Sequence, residues 1–129
     1  MTTVGLVLAA LAALLHVYIF FLESIAWMTP RARATFGIRS DEEAEHTRVL
    51  AFNQGFYNLF LALVTAIGIA LLSAGSTAAG TALVLAGVGS MAAAAAVLVI
   101  GSRSHARAAA IQGTLPLLAV VLVTAGALA

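Results

Sequence analysis

The chain has 129 residues, 63% of them hydrophobic and only 9% charged, with a net charge of +1 and no cysteine. Soluble domains carry about 25% charged residues, so this composition excludes a soluble globular domain and predicts an integral membrane protein. The small net charge excludes a nucleic-acid footprint, and the lack of thiols excludes cysteine nucleophiles, CxxC redox chemistry and cysteine-ligated metal sites.

Met1 to Val4 carries no basic residue, and the apolar run behind it is longer than a signal-peptide core, so it reads as a retained first span over about residues 4–28. Gly5, Ala9 and Ala13 recur every fourth residue, a small-residue strip for close helix contact. Further along, His16, Phe20, Glu23 and Trp27 share one helical face. Thr29-Pro30 has the form of an N-cap followed by proline at the first helical position, and starts a new turn. The loop after it holds every acidic residue except Glu23. Ser40-Asp41-Glu42-Glu43 fits a capping box, so a second helix is expected from near Asp41, projecting about two turns before it enters the membrane near Val49. His46, in this charged run, is expected to face solvent.

The second span is expected over about residues 49–72, the third over 80–101 and the fourth over 107–129. Ala82, Ala86, Ser90 and Ala94 form another four-residue strip, expected to pack closely. Arg31, Arg33, Arg39 and Arg48 lie in the first loop, and Arg103 and Arg107 flank the third. The positive-inside rule then puts both arginine loops in the cytoplasm and both termini outside. A basic set made only of arginine suits a GC-rich bacterial genome, so the expected location is a bacterial inner membrane. The fold expected is an all-α, four-helix transmembrane bundle forming a single domain in contact with the lipid bilayer.

Polar side chains gather at one end of this bundle. Glu23, Asn53, Gln54 and Gln112 each lie about five residues inside the cytoplasmic boundary of their spans, or ~7–8 Å at 1.5 Å per residue. Tyr57 and Asn58 come one turn deeper, and His16 lies nearer the middle. In the outer half, residues 4–15, 59–72 and 117–129 carry only Thr65 and Thr124, which can bond back to their own helices. Pro116 cannot donate to the carbonyl of Gln112, which leaves that oxygen beside the Gln112 amide. An ionisable group within a span is a functional hypothesis by default, and Glu23 is the only acidic residue so placed. One histidine and one glutamate two turns apart fall short of a zinc ligand set, so no metal and no cofactor is expected.

His16-Val-Tyr-Ile-Phe-Phe-Leu-Glu23 with Trp27, Asn53-Gln-Gly-Phe-Tyr-Asn58 and Gln112-Gly-Thr-Leu-Pro116 together resemble the small bacterial four-span membrane proteins catalogued as domain of unknown function 1304. The three motifs occur in order on three of the four spans. The resemblance supports the four-span architecture and marks the same residues; it brings no settled activity.

The residues themselves suggest a site for a small amphipathic molecule entering from the cytoplasmic side. Glu23 would be the general acid or base and His16 a second proton-transfer or orienting group. Asn53, Gln54, Tyr57, Asn58, Gln112 and Trp27 would contact the ligand. Proton transfer, as in isomerisation or epimerisation, suits this inventory better than nucleophilic chemistry. Two alternatives stay open: a proton-coupled transporter using Glu23, and a non-catalytic assembly partner whose polar ring joins helices. The small-residue strips fit a homo-oligomer as well as they fit packing within one chain.

Overall fold

The computed structural model describes residues 3–101 and 103–129. Met1 and Thr2, at the start of the first-span reading, and Ser102, in the second arginine loop, lie outside the described residues. Among the described residues all regular structure is helical.

Helix α1 runs over Thr3–Phe20 and buries Gly5, Ala9, Ala12, Ala13 and His16. The first span then changes pitch: Phe21–Ile25 is a π-helical turn, closed by the Ala26 amide on the Phe21 carbonyl at 2.9 Å. The α-helical pattern expected as far as Met28 therefore gives way eight residues earlier. Thr29 caps the short α2, Pro30–Phe36, by accepting from the Ala32 amide at 3.3 Å, with Pro30 in the first turn. Gly37 ends α2 in the left-handed region (φ 71°), a conformation that a Cβ disfavours.

The third helix, α3, spans Asp41–Ser73. Its Ser40 cap accepts from the Glu43 amide at 3.1 Å, and the Glu43 carboxylate returns to the Arg39 amide at 2.8 Å. This is the reciprocal pattern of a capping box, with the glutamate reaching one residue further back than usual. Thirty-three residues at 1.5 Å each give a helix of about 50 Å, well beyond the roughly 30 Å of a hydrocarbon core. A tight turn at Gly75 leads to α4, Thr77–Gly101, and a 3₁₀ turn at Arg103–His105 leads to α5, Ala106–Leu128. Pro116 is buried inside α5, which continues through it.

The long helices pack as a four-membered ring in the order α1, α3, α4, α5, with α1 and α4 across the diagonal. Ala9, Ala12, Val84, Val88, Met91, Ala119 and Val123 form its buried core. Large apolar side chains such as Leu14, Ile67, Val97 and Ile100 stay on the outside. Four helices are long and apolar enough to cross a membrane, and their outward apolar faces need lipid, so the chain is a multi-pass membrane protein.

Helix α4 corrects one expectation. Ala82, Ala86, Ser90 and Ala94 are exposed, and the helix packs instead through Gly80, Val84, Gly87, Met91 and Ala95. A helix apolar on every side has no polar face to reveal which stripe turns inward.

Candidate functional site around Glu23

The π turn sets the geometry. It accommodates one more residue per turn than an α-helix and leaves Glu23 near its centre, beside Ser24. The facing position on α3 is Gly55. A Cβ there would collide with Ser24 Oγ and lie 3.0 Å from Glu23 Cβ and 3.1 Å from the Ser24 amide nitrogen. Only a residue without a side chain lets α3 come this close. Ser24 Oγ then donates to the Phe52 carbonyl at 2.8 Å, tying the turn to α3.

Glu23 and Asn58 are both buried, 9% and 8% exposed, and they meet: Asn58 Nδ2 donates to Glu23 Oε2 at 2.8 Å. The same Nδ2 donates to the Gln54 carbonyl at 3.2 Å, so both amide protons are used and the amide is fixed in orientation. Among the described residues no cationic side chain forms an ion pair with Glu23. One turn further, Trp27 is buried, donates Nε1–H to the Ala44 carbonyl at 2.9 Å and packs on Phe36 with ring centroids 5.2 Å apart. Phe56 stacks edge-on against Phe20 at 5.1 Å and touches Phe52 at 5.0 Å, filling the π turn's other flank.

Two open clefts border Glu23. The larger, about 510 Å³, is also bordered by Ser24, Trp27, Met28, Arg48, Val49 and Phe52. The smaller, about 380 Å³, is bordered by Trp27, Thr47, Leu50, Ala51, Asn53 and Gln54. Glu23, Trp27, Asn53, Gln54 and Asn58 are thus brought together.

The other three candidates stand apart. Tyr57 is 58% exposed on the outer surface of α3, and Gln112 is half-buried on α5; neither borders a cleft. His16 is buried, 2% exposed, and its Nδ1–H donates to the Ala12 carbonyl of its own helix at 2.9 Å. Since a carbonyl only accepts, Nδ1 carries a proton in this bond. His16 borders neither cleft. Among the described residues no three His, Asp or Glu side chains lie close enough to hold a metal ion.

Sequence reasoning passed over Ser24, Gly55 and Arg48 as parts of this region. Gly55 carried a signal, since a glycine inside a helical pattern marks close approach of another backbone. Ser24 carried a weaker one, because serines in membrane helices bond across to neighbours. The π turn left no mark in the residue pattern.

The family model described as "Protein of unknown function (DUF1304)" matches residues 10–124, a stretch that contains the whole Glu23 region, His16 and Gln112. No curated protein and no solved structure matches the chain.

Proposed function

The chain belongs to the DUF1304 family, and from that premise we propose that it binds a small amphipathic molecule beside Glu23 and acts on it by proton transfer. The observation that carries this reading is the placement of Glu23: on a π turn, hydrogen-bonded by a neutral amide, at the border of two clefts. π turns recur at functional sites because they displace side chains that a regular helix would align elsewhere. The neutral amide of Asn58 holds Glu23 in place without adding a charge beside it, which suits a carboxyl that exchanges a proton.

In this reading Asn58 orients Glu23, Trp27 walls the ligand, and Asn53 and Gln54 offer hydrogen bonds from the smaller cleft. His16, two turns away or about 10 Å along the axis, acts through water or through the far end of the ligand. Tyr57 and Gln112 take part only if the ligand reaches them. The arginine loops lie in the cytoplasm of a bacterial inner membrane, both termini outside, and α3 extends into the cytoplasm. Isomerisation or epimerisation is the reaction class that this inventory suits. A transport path would need polar groups free to contact cargo across the other half, where the buried Thr65 bonds back to the Leu61 carbonyl of its own helix, so the one-sided site is preferred.

The test is thermal stability of wild type, Glu23→Gln and His16→Ala with and without a library of small amphipathic metabolites. Glu23→Gln keeps an oxygen for the Asn58 amide, so its stability should stay within about 1 kcal/mol of wild type. The ligand-induced rise in Tm seen in wild type should be lost. If both variants collapse and no compound shifts wild type, the polar residues only join helices and the reading fails.

A further inference from the structure

The larger cleft has two chemically different ends. Glu23 and Ser24 stand at one, packed against Gly55; Arg48 stands at the other. Seven residues separate Arg48 from Gly55 on α3, about 10.5 Å along the axis. Trp27, Val49 and Phe52 supply apolar surface along the cleft.

The guanidinium of Arg48 is only loosely engaged. Its Nη1 bonds the two carboxylate oxygens of Glu45 at 3.2 Å each, longer than the roughly 2.7–2.9 Å of a strong charge-assisted bond. Both side chains are more than half exposed, so this pair contributes little and exchanges readily for another anion. Of the acidic residues in the first turn of α3, Asp41 pairs with Arg33 and Glu43 accepts from the Arg39 amide. The lining of the cleft therefore presents a replaceable cation, while the oxygen Oε2 of Glu23 is already taken by Asn58.

Building on the reading of the Glu23 region as a ligand site, we infer that this cleft takes an anionic amphiphile. Its carboxylate or phosphate displaces Glu45 from Arg48, and its apolar body lies along Trp27, Val49 and Phe52 towards Glu23. The anion is either the head group of a membrane lipid or that of a soluble fatty acid-like molecule; both share this chemistry.

The experiment uses the full chain in phosphatidylcholine nanodiscs, with decanoate, decanol and decylamine as probes and thermal unfolding as readout. Decanoate is expected to raise the Tm of wild type and of Arg39→Gln, a charge control away from the cleft. Arg48→Gln should weaken the apparent affinity for decanoate roughly tenfold, with Arg48→Lys retaining part of it. Decanol and decylamine should bind wild type roughly tenfold more weakly than decanoate. The inference is overturned if decanoate gives no shift, if Arg48→Gln responds as wild type does, or if decanol or decylamine matches decanoate. Should one of the latter two probes match it and Glu23→Gln abolish its effect, the Glu23 site stands and the head-group assignment alone falls. Nanodiscs containing phosphatidylglycerol separate the sources. An Arg48-dependent rise in Tm without decanoate assigns the anion to a membrane lipid; a rise seen only with decanoate assigns it to a soluble amphiphile.

Discussion

Helix α3 makes close contact at two glycines, and the two contacts are built differently. At Gly68 the neighbour is α4: an added Cβ would lie 2.6 Å from the Val84 amide nitrogen and 2.9 Å from the Gly80 carbonyl oxygen. The approach is mutual, since a Cβ at Gly80 would lie 2.8 Å from both the Gly68 carbonyl oxygen and the Leu72 amide nitrogen. The polar side chain beside this contact, Thr65, is fully buried and donates back to the Leu61 carbonyl at 2.9 Å. At Gly55 the neighbour is the π turn, and what approaches is a serine and a glutamate that borders open clefts. The same absence of a side chain closes the bundle at one level and seats polar groups at the other. Dry backbone-to-backbone packing leaves nothing to bind; a widened turn against a glycine leaves clefts.

Replacing each glycine by alanine separates these roles. Gly68→Ala should have the largest effect on stability. The methyl meets backbone on a rigid helix, and overpacking of that kind outweighs the roughly 1 kcal/mol that alanine gains in a helix, for a net loss of about 2 kcal/mol. In a chain of this size that is a fall in Tm of roughly 5–10 °C. A Gly68→Ala protein as stable as wild type would show that α3 and α4 pack less tightly than described.

Gly55→Ala should cost less stability and more function. The nearest obstacle is the hydroxyl of Ser24, which can rotate away, while Glu23 Cβ and the Ser24 amide need give only a few tenths of an ångström. The net change in stability should be within about 1 kcal/mol, because strain and helix gain nearly offset. Rotating Ser24 breaks its bond to the Phe52 carbonyl and shifts the π turn, so the ligand-induced change in Tm should shrink well beyond the effect on stability. Equal losses of stability at Gly55 and Gly68 would mean that both contacts are packing alone.

Much of the helical framework can be read from the residues alone. Low charge and four apolar runs define the helices, Ser40 with Glu43 and Thr29 with Pro30 mark their starts, and the stripe of His16, Glu23 and Trp27 is buried as its spacing predicts. The π turn was not legible, because inserting one residue into a helical turn requires no characteristic residue type. The run Asn53-Gln54-Gly55-Phe56-Tyr57-Asn58 looked like one polar face, yet a helix advances 100° per residue. Gln54 and Asn58, four apart, share the side near Glu23, Asn53 borders the smaller cleft beside them, and Tyr57 is carried outward. The sequence showed which residues are unusual for a membrane; the register of α3 decides which of them meet.

The α4 register was misread for a related reason, and the smallest of the expected effects addresses it. Gly89 falls seven residues after Ala82 and so shares its outward side, and a Cβ at Gly89 would meet nothing within 4 Å. If lipid alone covers that side, Gly89→Ala should stabilise the protein by about 0.5–1 kcal/mol, through helix propensity without new contacts. If instead a second copy packs there, the methyl would enter a close interface and lower the Tm, and the Tm of wild type would rise with protein concentration. A rise in Tm for Gly89→Ala, independent of concentration, therefore leaves the exposed strip of Ala82 and Ala86 to the bilayer, and leaves close glycine packing to contacts within the chain such as those at Gly55 and Gly68.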